Sequence, residues 1–477
     1  MTRFRLLPLT LVLCGLALAY PGSPPSAAAD AASAGDLSQR IDHIIVVVEE
    51  NHTFDSYFAD YPGANGPYGV DSYPRDPTTG TSVEPVLYSE SIRERVLAAA
   101  TPGKELLSNG RAAAEEAYNG GLMDGFVGAQ VRRGNDPQVS MVYYSEEEVR
   151  GLWSLADRFV LFDNYFSSAL GDSMPNMLHL LAGTSNGIKS GTKETLAQIA
   201  DGLPTVFDQL QAAGVSWKYY VGGLERLDRE RIAGGDYLRP DQPTPSQMYW
   251  APILGMKRFW EDPQLNAGLA SQEQFFLDAA QGSLPAVSFV LPSPTDHPLA
   301  PPTAPQQRLL SLVNAMGKSP QWGRSAMFIV WDEWGGFYDH VPPPQVDEMG
   351  LGLRVPALLV SPWAQRGYVS HVQYDHTSIL SFIAQRFGLP PLSPREAASN
   401  SFETAFEFDA PPREAPAFGL ASIPAAPVGT PSQNRLTLMA YLEIFAVVAA
   451  VIGFLVWAPH IADRKERHHD RQDARDG

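Results

Sequence analysis

The sequence predicts an α/β domain with a mostly parallel central sheet, flanked by helices and interrupted by loop insertions. Short apolar, β-branched runs recur at Ile41 to Val48, Ala286 to Leu291, Ala326 to Trp331 and Val355 to Val360. Near-continuous runs of this length mark strands buried on both faces. Helical patterns lie between or after them, at Ser145 to Asp157, Pro175 to Ala182, Thr205 to Ala213, Pro305 to Met316 and Thr377 to Phe387. Such alternation builds helix layers on a parallel sheet. With 44% hydrophobic and 18% charged residues in 477, the chain has enough apolar material for a sizeable core and is not broadly disordered. No repeat and no clear linker interrupts residues 40 to 410. The expectation is one domain over residues 30–409, with 60–120 and 220–260 as the main insertions.

Both ends carry hydrophobic segments outside that domain. Arg3 and Arg5 precede an apolar run, Leu6 to Ala19, and the small residues Ser26 to Ala34 follow. This is a signal-peptide pattern over residues 1–29, with cleavage expected between Ala29 and Asp30. The only cysteine, Cys14, falls inside it, so the mature chain would hold no disulfide and no thiolate metal site. Residues 410–435 are proline-rich and read as an extended spacer. Leu436 to Ala458 then contains a single charge, Glu443. At about 1.5 Å per residue it spans a bilayer core of about 30 Å. Arg464, Lys465, Arg467, Arg471 and Arg475 lie beyond it, so the tail at 459–477 is expected in the cytoplasm. The expectation is a single-pass protein of the cell membrane with its domain on the outer side.

The formal net charge is −18. Phosphate backbones are bound by clustered Lys and Arg, so a nucleic-acid partner is excluded. A small phosphate-bearing substrate is not excluded, because a bound cation can supply positive charge locally.

Sites in open α/β sheets form beyond the carboxyl ends of the strands. Val46-Val47-Val48 runs into Glu49-Glu50-Asn51-His52, and Ile329-Val330-Trp331 runs into Asp332-Glu333. Glu50, Asn51, Asp332 and Glu333 are the candidate ligands of one divalent cation. An all-oxygen set favours Ca, Mn or Mg over Zn. Glu49 is expected to face away or to pair with a surface base. Taken alone, each cluster could equally be the polar start of a loop.

Gly171-Asp172-Ser173-Met174-Pro175-Asn176 follows the apolar run Phe159 to Phe166 and opens a helical stretch. Ser173 is there either a helix N-cap or a nucleophile, the second if a cation lowers its hydroxyl pKa. Asn176 and Asp296 are candidate substrate-binding residues. His297, His340 and His376 are the candidate proton donors.

At this point the residues resemble a known family. The stretches "IDHIIVVVEENHTFDSYFADYPG", "YNGGLMDGFV", "LADRFVLFDNYFSSALGDSMPNMLHLLAGTS", "LPAVSFVLPSPTDHP", "FIVWDEWGGFYDHVPPP" and "RVPALLVSPWAQRGYVSHVQYDHTSILSFIAQRFGL" are similar, in order, to blocks of the bacterial phospholipases C and related acid phosphatases. The resemblance covers about residues 40 to 392. It implies an alkaline-phosphatase-like fold and hydrolysis of phosphate esters or phospholipids. The family's metal pairs fall on Glu50–Asn51 and Asp332–Glu333, its Ser/Thr nucleophile on Ser173, and its histidine before proline on His297. There is a departure. Asn109 and Glu115 stand where the family commonly has histidines, and Met177 follows Asn176 where Arg or His is usual. Those losses motivate a second reading, a catalytically inactive membrane-tethered binding module of the same fold. A sulfatase-type reading would need a nucleophile motif that the chain lacks.

Overall fold

The computed structural model describes residues 37–67, 70, 72–99, 106–200, 202–292 and 302–419. The expected signal peptide and membrane span lie outside these residues, as do Asp296 and His297. Among the described residues no helix is long and apolar enough to cross a membrane.

An eight-stranded sheet forms the centre. Its spatial order is Tyr368–Ser370, Val160–Phe162, Ala357–Val360, Ser325–Trp331, His43–Glu49, Val287–Val290, Trp217–Val221 and Leu269–Ser271. Ala357–Val360 runs antiparallel to both its neighbours, and the other pairings are parallel. The fold is therefore α/β with a large, mostly parallel sheet. The apolar runs occupy its middle, and all seven residues of Ser325–Trp331 are buried. That is why they read as continuous hydrophobic stretches and not as alternating ones.

The five helical patterns appear as Arg150–Ala156, Ser173–Ala182, Val206–Ala212, Thr303–Lys318 and His376–Phe387. Three strands of the central sheet lie outside the apolar runs. Trp217–Val221 is interrupted by Lys218, whose ammonium pairs with Asp278 on the Gln272–Gln281 helix and with the Tyr220 ring. Leu269–Ser271 and Tyr368–Ser370 are three-residue strands at the two sheet edges, too short to show a period. The expected insertion at 220–260 begins in the strand Trp217–Val221, and from 222 onward it holds short helical turns without a strand.

The start of the proline-rich stretch differs from an extended spacer. Through Phe418 it lies against the domain. Arg413 stacks over Phe159 at 4.4 Å and its carbonyl accepts from Trp322 Nε1 at 3.0 Å. Asn314 exchanges hydrogen bonds with the Phe418 backbone at 2.8 and 3.0 Å.

Candidate active site at the strand ends

His43–Glu49 and Ser325–Trp331 are adjacent and pair in register from His43 with Ser325 to Glu49 with Trp331. The Asp332 N–H still donates to the Glu49 carbonyl at 2.9 Å. Glu50–Asn51 and Asp332–Glu333 thus leave neighbouring strands at the same level. One hydrogen bond fastens the two pairs, and a second braces Asp332–Glu333 internally. The Asn51 N–H donates to Asp332 Oδ1 at 2.9 Å, and the Glu333 N–H donates to the same oxygen at 2.8 Å. The Asn51 amide also donates to the Glu50 carboxylate.

Asn51 has φ +63°, a left-handed conformation that asparagine tolerates better than most side chains. Its turn fits against Gly335. A Cβ on Gly335 would lie 2.2 Å from the Asn51 carbonyl oxygen, and Gly335 itself has φ +66°. Gly335→Ala must therefore push Asn51 off its place. The expected outcome is a stability loss of about 1–3 kcal/mol, read by thermal unfolding.

Glu49, as expected, faces elsewhere. It is buried, and Arg308 on the Thr303–Lys318 helix donates to both its oxygens at 2.6 Å.

Asp332 and Glu333 are buried carboxyls side by side. Burial pushes the Asp332 pKa up to about 6, against the Ser173 hydroxyl and three backbone N–H groups that favour its ionised form. Burial also raises Glu333, and the charge of Asp332 beside it adds to the effect. Asp332 Oδ2 is buried without a hydrogen-bond partner. Burying two adjacent carboxylates with an orphan oxygen is costly unless a cation joins them. The donor set and this orphan oxygen fit a hard divalent cation.

Ser173 is the first residue of its helix, and Asp172 is the N-cap. Ser173 therefore does not stand at the cap position, and the Asp172 side chain there makes no capping hydrogen bond. The Asp172 carboxylate accepts from Ser190 Oγ at 2.5 Å and from the Gly191 N–H at 3.1 Å. Gly171, at φ +134°, packs against the Lys189 carbonyl and the Arg111 backbone, where a Cβ would lie 3.3–3.4 Å from them. The Ser173 hydroxyl lies near enough to the Asp332 carboxylate to favour its ionised form.

Two of the expected roles change. Asn176 is fully buried, and its amide is consumed by backbone. It accepts from the Ala169 N–H at 2.8 Å and donates to the carbonyls of Ala169 and Asp172 at 3.1 and 3.0 Å. It clamps the serine loop and has no polar atom left for substrate. His376 is also buried, with both ring nitrogens used. Nε2–H donates to the Asp332 carbonyl at 2.9 Å, and Nδ1 accepts from the Tyr165 hydroxyl at 3.1 Å. Burial lowers its pKa. It holds Asp332 from behind as a neutral ring and is not placed as a proton donor.

His340 belongs to a neighbouring cluster that sequence reading missed. Its Nδ1 lies 2.7 Å from Asp55 Oδ2. Arg354, wholly buried, donates to Asp55 at 2.7 Å, to Asp339 at 3.2 Å, and to the carbonyls of Asn65 and Asp163 at 2.8 and 2.9 Å. The donor atoms of Asp55, Asp339 and His340 all lie within 4.8 Å of one another, a grouping that could hold a metal. Arg354 already supplies the positive charge there, so an ion-pair cluster describes it better. The cluster ties the loop after one central strand to the loop after the other. The only sequence signal for it was the Asp339-His340 pair. Arg354 is one basic residue inside an apolar run.

His52 was also not singled out. It is sandwiched between Tyr57 and Phe337, with ring centroids 4.4 and 4.6 Å away, and burial drops its pKa to about 3.

With this geometry in place, comparison with known proteins gives the class. The model of the Phosphoesterase family matches residues 41–390, and the chain belongs to that family, a class of hydrolases acting on phosphate esters. Similar proteins include the Non-hemolytic phospholipase C of Pseudomonas aeruginosa, 26% identical over 78% of this chain and 58% of that one. Phospholipase C B of Mycobacterium tuberculosis is 28% identical over 78% of each. Non-specific phospholipase C1 of Arabidopsis thaliana is 27% identical over 78% of this chain and 72% of that one. The match spans less than two thirds of the Pseudomonas protein. A solved protein of the alkaline phosphatase superfamily from Vibrio parahaemolyticus overlaps at a TM-score of 0.33, with 14% identity over 52% of this chain and 62% of that one, and bears on nothing further.

Proposed function

We propose that the chain is a cation-dependent phosphoesterase of the phospholipase C or acid phosphatase kind, on an alkaline-phosphatase-like fold, that works by attack of Ser173 on phosphorus. The observation that carries the reading is the convergence of Ser173 with Asp332, Glu333, Asn51 and Glu50 at the ends of two register-matched strands. Glu50, Asn51, Asp332 and Glu333 would hold one divalent ion, Ca, Mn or Mg before Zn, which would lower the serine hydroxyl pKa and offset the charge of the phosphate. Asp172 and Asn176 fix the serine loop, so the hydroxyl meets phosphorus in one orientation. The helix beginning at Ser173 directs backbone N–H groups toward phosphate oxygens. The Ser173 hydroxyl gives its proton to solvent; attack then forms the Oγ–P bond and breaks the bond from phosphorus to the leaving alcohol, which takes a proton from a histidine. Water then hydrolyses the phosphoserine. Among the described residues His340 and His376 are tied to Asp55, Asp332 and Tyr165. His376 has both ring nitrogens engaged, whereas His340 is held only through Nδ1, so His297 and His340 are the proposed proton donors.

A panel of p-nitrophenyl phosphate, its diester and phosphorylcholine esters, with and without chelator, tests this reading. Chelator-sensitive hydrolysis of at least one ester is expected. No hydrolysis under any metal would favour the binding module.

His297 also makes a separate expectation. His297→Asn should slow poor, alkyl leaving groups far more than p-nitrophenolate, which needs little protonation, by about 10²–10⁴-fold for the former. Equal losses on both would remove His297 from the donor role.

We further propose the boundaries read from the sequence: a removed leader at 1–29 and a membrane span at 436–458 with the domain outside. Protease added to intact cells should then release a soluble, active fragment, and full protection of the domain would contradict this.

A further inference from the structure

Asn109 stands where a histidine is common in the family, and it reaches directly into the proposed cation set. Its Nδ2 donates to Asn51 Oδ1 at 3.0 Å and to Glu333 Oε1 at 2.6 Å. One side-chain amide thus spans a residue from each of the two strand ends. Glu333 Oε2 accepts from the Gly335 N–H at 2.8 Å, so both oxygens of that carboxylate are oriented.

The segment that delivers Asn109 is itself braced. The Asn109 carbonyl accepts from Trp334 Nε1 at 2.8 Å, and Trp334 is buried. The buried Gln130 holds Ser108 in a reciprocal pair, accepting from its N–H and donating to its carbonyl, both at 2.9 Å. Gly336 leaves room for Leu107, since a Cβ there would lie 2.9 Å from Leu107 Cδ2. A half-buried polar side chain held this firmly on two ligands does more than fill space. An amide presents two N–H donors on one nitrogen, whereas a neutral imidazole presents one N–H. The replacement therefore favours bridging.

We infer that Asn109 is a positioning residue that sets the protein's affinity for the divalent cation by holding Asn51 and Glu333 in coordinating orientation. The inference rests on the cation site proposed above. Removing a group that orients a ligand costs about 10–100-fold in metal affinity.

The test uses the full chain in detergent, stripped with chelator and titrated with Mn²⁺ by calorimetry. Asn109→Ala should bind Mn²⁺ about 10–100-fold more weakly, while the metal-free protein unfolds at nearly the wild-type temperature. Asn109→His, which keeps one donor, should fall between the two. Wild-type and alanine variant binding Mn²⁺ with the same affinity would overturn the role of Asn109 and leave the cation site standing. A wild-type protein that binds neither Mn²⁺, Ca²⁺ nor Mg²⁺ would overturn the cation site and this inference with it. If the alanine variant does not fold, the histidine variant decides: wild-type affinity there overturns the inference, and weakened affinity supports it.

Discussion

Ser173→Ala is expected to lower turnover by on the order of 10³-fold or more while leaving a folded protein that still binds metal. The two halves of that expectation have separate physical grounds. Ser173 is the first residue of its helix, and Asp172 is the cap, so no capping hydrogen bond is lost. Asn176 and the Asp172 contacts to Ser190 and Gly191 hold the loop without the serine hydroxyl. The stability cost should be no more than about 1 kcal/mol. The chemistry has no second hydroxyl to fall back on at that position, because Asp172 and Met174 on either side carry none. Losing a nucleophile costs far more than losing one stabilising contact, since the covalent route is closed. Steady-state hydrolysis beside a thermal melt and a metal titration reads all three quantities. A folded, metal-loaded alanine variant with near-wild-type turnover would return Ser173 to a structural role.

Arg354→Ala is expected to cost about 3–5 kcal/mol of stability, a large part of the roughly 5–15 kcal/mol that holds a typical domain. Arg354 is wholly buried among Asp55, Asp339, the Phe54 ring and two backbone carbonyls. Its removal strands two carboxylates in the interior. The damage should reach the site, because the Thr53 hydroxyl donates to the Tyr338 carbonyl at 2.6 Å and the Asp55 N–H donates to Asp339 at 3.2 Å across the same two loops.

The cluster should also respond to pH. Burial alone would lower the His340 pKa, but its hydrogen bond to Asp55 and the charges of Asp55 and Asp339 outweigh burial and raise it. A raised folded pKa gives stability that is complete below the ordinary value near 6.5 and is lost as pH rises through the folded value. Asp339, raised to about 6 mainly by burial, acts in the same direction at lower pH. Chemical denaturation between pH 6 and 9 should therefore show this contribution fading on the alkaline side. His340→Asn should flatten that dependence, and an unchanged slope would contradict it.

The central strands were legible because burial on both faces leaves an unbroken apolar run, as in Ile44 to Val48. The edges were not, because Leu269–Ser271 and Tyr368–Ser370 are too short to carry a period. The acidic pairs of the candidate site were legible for a related reason. They begin where an apolar run stops, which marks the carboxyl end of a strand. What sequence could not supply was the use each polar group makes of its partners. Asn176 and His376 sit beside the right motifs, yet their hydrogen bonds go to the backbone of Ala169, Asp172 and Asp332. Arg354 and Asn109 act through contacts hundreds of positions away in the chain, to Asp55 and Glu333. No local pattern encodes such pairings.

A Ser173 nucleophile beside a cation must pass through a covalent phosphoserine, which can be trapped. The full chain, loaded with Mn²⁺, is mixed with a phosphate ester, quenched in acid within the first turnover, digested and mapped for phosphate. The account predicts phosphoserine at Ser173, and its disappearance when chelator is added before the substrate. Turnover that proceeds with no phosphate on Ser173, or a label that is indifferent to chelator, would contradict it.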